Sequence, residues 1–174
     1  VEDTSGSEGF LTFLALLGQV IDLKGWQGFS GGLDVSDEQL TGEKAIYRKT
    51  GTIEESEIIY HVTPWLPQSS YDEGNNLERK RHFGNDTVVI IYSESLYAFE
   101  MGTLLSRQIQ VVLFVKFINR IQKFQVHVYS KRPGLFVEEN PFYLDPQKDG
   151  AKLSKLITDL ERQCYNNPPL IEKL

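Results

Sequence analysis

A single cysteine, Cys164, stands among the 174 residues, so the chain forms no internal disulfide and no cysteine-built metal cluster. So little cysteine fits a reducing compartment, and a cytoplasmic location is the expectation. No apolar run approaches the ~18–20 residues that span a bilayer. The longest, Thr87–Tyr92 and Val111–Val115, have the length of strands. The opening residues, Val1-Glu2-Asp3-Thr4-Ser5-Gly6-Ser7, carry no signal-peptide pattern. They read as a cut end, and a longer natural chain is expected. Positive charge is also short: 18 Lys and Arg against 24 Asp and Glu leave a net −6. That balance argues against non-specific binding to nucleic acid or to an anionic membrane, while leaving a local basic patch free to serve a protein partner.

The common enzyme signatures are missing as well. Without a GxxxxGK(S/T) loop the chain does not bind GTP as a P-loop protein does. There is no GxSxG, and the three histidines, His61, His82 and His127, lie far apart with no HExxH pairing. A lone histidine in a strand is more often a structural or surface residue, which is the reading for His61 and His127. Neither a zinc site nor a Ser-His-Asp site is supported, and no nucleophile–base pair can be named for an independent hydrolase.

What is present is ordinary for a folded soluble domain: 40% hydrophobic and 24% charged residues, in a length that buries a proper core. Phe10, Phe13, Leu14 and Leu17 recur at helical spacing over Glu8–Leu17, with Ser7 as cap and Gly18 as stop. Four glycines in Gly25–Leu33 mark a turn-rich connector. Strands are expected at Ala45–Lys49, at Glu57–Thr63 before Pro64 and Pro67, at Thr87–Tyr92, at Ile109–Phe117 and at Phe124–Ser130. The β-branched run Thr87–Tyr92 suggests burial on both faces. Strict alternation in Phe124–Ser130 suits a half-exposed strand instead. Gln68–Asn76 reads as a surface loop, Leu77–Gly84 as a short helix, and Gly102–Ser106 as either a helical turn or a connector. Lys131–Gly150, rich in Pro, Gly and acids, reads as a long surface loop. A closing helix is expected over Asp149–Tyr165, with Leu153, Leu156, Ile157, Leu160 and Cys164 on one face. Strands in the middle and helices at both ends predict an α/β fold, one domain with a central, mostly buried sheet flanked by helices. The expected organisation is a flexible end over 1–7, the domain over 8–166 and a tail over 167–174.

The unusual stretch is Leu77-Glu78-Arg79-Lys80-Arg81-His82-Phe83-Gly84-Asn85-Asp86, followed at once by the strand Thr87–Tyr92. Three consecutive cations and a histidine precede Gly84, and two small polar side chains follow it. One reading is a solvated helix ending at Gly84, with Asn85 or Asp86 capping the turn. The other is a basic, partner-facing helix whose end offers an amide to a ligand, because a carboxamide both donates and accepts hydrogen bonds. Residue physics alone leaves the two open.

The run Arg79-Lys80-Arg81-His82-Phe83-Gly84-Asn85-Asp86 resembles the hallmark of the Rap-GAP family, the GTPase-activating domains of Rap, Ral and tuberin type. Other pieces occur in that family's order. Gly31-Gly32-Leu33-Asp34 with Thr41-Gly42 resembles its GGLD…TG segment; Ile58-Ile59-Tyr60-His61-Val62-Thr63 with Leu66-Pro67 resembles its FHVST…LP strand; and Phe13–Leu23 resembles its opening helix and LG…VDL turn. The likeness covers about residues 8–132. After Lys131-Arg132 the chain departs: Gly134-Leu135-Phe136-Val137-Glu138-Glu139-Asn140-Pro141-Phe142 stands where relatives carry a PFFGP-like loop.

The resemblance implies an α/β fold and stimulation of GTP hydrolysis by a GTP-bound Ras-like small GTPase of the Rap, Ral or Rheb class. It implies an asparagine thumb in place of an arginine finger, and puts that role on Asn85. His82, Arg79, Lys80, Arg81 and Asp86 would position the thumb or touch the GTPase. No cofactor or metal of the chain's own is implied, since the partner holds GTP and Mg²⁺, and no independent hydrolase activity is expected. A sister subunit or homodimer is compatible with this reading. The alternative is a non-catalytic GTPase-binding or subunit-interaction domain of the same fold.

Overall fold

The computed structural model describes residues 6–51, 56–67, 85–94, 108–131, 135 and 140–166. The α/β class expected is the class found. Helix α1 (Glu8–Leu17) is followed by β1 (Gln19–Asp22), β2 (Lys44–Thr50) and β3 (Ser56–Tyr60). Strands β4 (Val88–Tyr92), β5 (Val111–Ile118), β6 (Lys123–Ser130) and β7 (Phe142–Leu144) then lead to α2 (Gly150–Asn166). The chain divides into two compact units, Val1–Asn85 and Asp86–Leu174.

In the first unit, Ser7 caps α1 by accepting the N–H of Phe10 at 3.1 Å. At the other end the Gly18 N–H closes on the Leu14 carbonyl. Arg48 of β2 reaches the carbonyls of Leu16 and Leu17 (2.9 and 3.4 Å), placing a cation at the negative end of the helix dipole. Phe13, Leu14, Leu16 and Leu17 are buried. Three antiparallel strands form one sheet in the order β1-β2-β3. Ile21, Leu23, Leu33, Ala45 and Tyr47 make a core cluster there, with Trp26 and Ile59 packed against it. Strand β1 lies where the sequence suggested only a turn. Its four residues are too few for a period to show, and pairing with β2 defines it.

The second unit holds a four-stranded sheet in the order β4-β5-β6-β7, with β4 parallel to β5 and the other pairs antiparallel. Cross-strand pairs Leu113–Val128 and Val115–Val126, and then Val126–Phe142 and Phe124–Leu144, stack one apolar face. Helix α2 packs against β4 and buries Leu153, Ile157, Leu160 and Cys164. Leu156, assigned to that face from its spacing, is only half-buried.

One expectation is corrected. Thr87–Tyr92 is not buried on both faces, for every residue of β4 is half-buried. Among the described strands of this sheet β4 is, like β7, an edge, and the doubly covered strand is β5, where Val111, Val112 and Leu113 are fully buried in succession. The long loop read over Lys131–Gly150 contains β7. The Asn140 side chain prepares that pairing: its Nδ2 donates to the Val128 carbonyl at 2.8 Å and its Oδ1 accepts the Val128 N–H at 3.0 Å. A carboxamide there occupies the ladder position opposite Val128. The expected loop at Gln68–Asn76, helix at Leu77–Gly84, element at Gly102–Ser106 and tail over 167–174 lie outside the described residues.

Candidate functional site

Asn85 sits in a turn three residues before β4, and it is exposed. Its neighbour Asp86 is half-buried. From Asp86 the chain runs through Thr87, whose carbonyl accepts the N–H groups of Gln110 and Val111 (2.9 and 3.1 Å). That anchors the start of β4 onto β5, fixing the backbone two residues beyond Asn85. Arg79, Lys80, Arg81 and His82 lie outside the described residues.

A carboxyl that the sequence did not single out bears on Asp86. Glu161 of α2 is pushed above the ordinary glutamate value of 4.5, first by desolvation and second by the negative charge of Asp86. Nothing in the local pattern of either segment announces this coupling, since the two residues meet only because α2 packs on β4.

The Gly31–Gly42 segment is a closed loop. Gly31 and Gly32 turn the chain at φ 57° and 87°. The Asp34 N–H then donates to Thr41 Oγ1 at 2.6 Å, and the Asp34 carboxylate accepts the N–H groups of Ser36 and Leu40 at 2.9 and 2.8 Å. Those two backbone donors, that of Leu40 first, hold the Asp34 carboxyl below the ordinary value of 3.8. Gly42, at φ 105°, passes so close to the Trp65 carbonyl that a Cβ would lie 2.7 Å from it. The residues that matched a family motif here build a loop.

His127 lies on the outward face of β6, stacked on Tyr129 with centroids 6.2 Å apart, and His61 follows β3, half-buried. Among the described residues no group of three His, Cys, Asp or Glu could hold a metal ion. No helix among them is long and apolar enough to cross a membrane.

The Rap/ran-GAP family profile matches residues 1–156. The human GTPase-activating Rap/Ran-GAP domain-like protein 3 is 36% identical over 97% of this chain, which corresponds to 17% of that protein. The RapA guanosine triphosphatase-activating protein 1 of Dictyostelium discoideum is 46% identical over 53% of this chain and 8% of its own length. Among solved structures, the TSC2 GAP domain superposes with a TM-score of 0.78 at 24% identity, covering 94% of this chain and 88% of that one, and shares the fold. The fold and the match over residues 1–156 together define a Rap/ran-GAP-type domain. The chain belongs to the Rap/ran-GAP family. It spans 17% or less of the length of these curated relatives.

Proposed function

We propose that this chain, with residues 8–166 as its folded domain, stimulates GTP hydrolysis by a GTP-bound small GTPase of the Rap, Ral or Rheb class, using the Asn85 carboxamide in trans. The observation that carries the reading is the exposure of Asn85 at the matched thumb position, next to a backbone pinned to β5. With the backbone fixed two residues on, at Thr87, ordering the exposed amide at the transition state costs less entropy than it would from a free segment.

Phosphoryl transfer needs an aligned water and stabilised charge on the γ-phosphate. The GTPase supplies its own P-loop, lysine and Mg²⁺, so the chain needs no cofactor. What Asn85 adds is a donor and an acceptor on one group, which orients the attacking water or contacts the γ-phosphate. Acceleration by such activators reaches ~10⁵, about 7 kcal/mol of barrier. One preorganised donor is worth roughly 3–4 kcal/mol. Asn85 therefore acts together with ordering of the GTPase's mobile loops. His82, Arg79, Lys80, Arg81 and Asp86 serve docking and positioning in this reading. A cytoplasmic location goes with it, as does room for a sister subunit or second copy.

Single-turnover hydrolysis on a panel of small GTPases, with the parent chain and Asn85→Ala, tests the proposal. The variant should lose ~10²–10³ of the stimulation while still binding the GTPase. Stimulation equal to the parent's removes Asn85 from the mechanism. Binding by the parent without stimulation favours a non-catalytic interaction domain.

A further inference from the structure

The chain is acidic overall, yet its charge is segregated. From Met101 to Val137 there is no Asp or Glu, while Arg107, Lys116, Arg120, Lys123, Lys131 and Arg132 all fall in that stretch. Three of these cations cluster at one end of the β5–β6 hairpin. Strand β5 ends at Ile118, the turn is Asn119–Ile121, and β6 starts at Lys123. Register places Lys116 opposite Gln125 and Ile118 opposite Lys123, so Lys116 lies one pairing step beyond Phe117–Phe124 from the tip.

The tip is rigid. Gln122 adopts φ 53°, and both its N–H (3.3 Å) and its side-chain amide (2.7 Å) donate to the Asn119 carbonyl. Arg120 and Lys123 are exposed, and between them Ile121 leaves 41% of its surface in water. Among the described residues no carboxylate pairs with Lys116, Arg120 or Lys123. The hairpin end is thus a tight turn carrying an exposed aliphatic side chain beside cations that form no ion pair among the described residues. The carboxylate next in register to Lys123, that of Asp145, is engaged by Lys148.

We infer that this hairpin tip docks the chain onto an anionic lipid surface, with Arg120, Lys123 and Lys116 over the headgroups and Ile121 entering the interface. Charge complementarity gives the sign of the partner. Its small extent gives its kind: a specific protein interface needs roughly 800 Å² of matched surface per partner, more than a single turn offers, whereas headgroups rearrange around a point. The net −6 of the chain weighs against adsorption of the chain as a whole, so the attraction is local to the tip, where at ~0.1 M salt charges beyond about 10 Å are screened. The inference is independent of the proposed GTPase activation.

Co-sedimentation of the 174-residue chain with phosphatidylcholine vesicles, with and without ~30% phosphatidylserine, tests it. The parent should bind only the phosphatidylserine vesicles, and ~0.5 M salt should release it. Arg120→Gln with Lys123→Gln should weaken that binding roughly 25-fold, about fivefold per cation near the surface. Both side chains are exposed, so an unchanged melting temperature shows the double variant folded. Equal binding to neutral vesicles, or undiminished binding by the double variant, overturns the inference. So does a double variant that keeps vesicle binding but loses GTPase stimulation in vesicle-free solution, which would assign the tip to a protein contact.

Discussion

The backbone N–H of Asp34 donates to the hydroxyl oxygen of Thr41 at 2.6 Å, closing an eight-residue loop at its two ends. Inside that loop the Asp34 carboxylate satisfies two further backbone donors, at Ser36 and Leu40. Two sequence fragments that matched family motifs at a distance are therefore one hydrogen-bonded unit. It sets the path by which the chain leaves the Leu33 core position and returns at Gly42.

Thr41→Val keeps the shape and removes the acceptor. The stranded Asp34 N–H should lower stability by about 1 kcal/mol and the melting temperature by about 2–4 °C, measured by thermal unfolding. The pH response follows from the carboxylate. Because its folded value lies below 3.8, its contribution is complete above that value and is lost as pH falls through the lower one. The Leu40 and Ser36 amide resonances should titrate together with a midpoint under 3.8. A midpoint at or above it would contradict the clasp.

Asn140→Ala should leave the N–H and C=O of Val128 without their side-chain partners (3.0 and 2.8 Å). A loss of about 2 kcal/mol is expected in urea unfolding. Asn140→Asp retains an acceptor for the N–H but sets a carboxylate against the Val128 carbonyl, so it should not rescue. Recovery to parental stability in the Asp variant would show that the amide donor contributes nothing.

Glu161 carries the opposite sign from Asp34. Its folded value lies above 4.5, so ionisation of Glu161, an exposed residue on which solvent screening moderates the effect, weighs slightly against the folded state at neutral pH. Stability should rise as pH falls through that raised value and level off below 4.5. Glu161→Gln should be more stable than the parent at pH ~7 and should flatten this part of the profile. Asp86→Asn should shrink the effect without abolishing it, because desolvation is the larger cause. If Glu161→Gln leaves the profile between pH ~4 and ~7 unchanged, the raised value belongs elsewhere.

Charge reversal at Arg79, Lys80 and Arg81 tests whether these cations steer an acidic GTPase surface. Association measured by stopped flow should slow and lose much of its salt dependence, with dissociation little changed. Association rates equal to the parent's at low salt would leave the three residues as a solvated surface.

Periodicity carried most of the fold. Helix α1 has the expected bounds, with Ser7 capping it, and the alternation of Phe124, Val126 and Val128 marks the buried face of β6. These features arise from contacts within a few residues, so a local pattern records them. Strands β1 and β7 were not legible, being four and three residues long and defined by their partners. The assignment of Asn85 rested on motif resemblance, since an asparagine before a strand has an equally good capping role.

By itself, then, the sequence determined the α/β class, the main helices and strands, the family, and the residue to test, because apolar spacing and a rare motif are properties of neighbours along the chain. Only the tertiary structure decided that β5 and not β4 is sealed on both faces, that Asn140 completes a ladder, that Asp86 faces the field of Glu161, and that Lys116 joins Arg120 and Lys123 at the hairpin end that carries Ile121. Each of those depends on which strands and helices become neighbours in space. Burial and electrostatics follow that proximity, which separation along the chain does not encode.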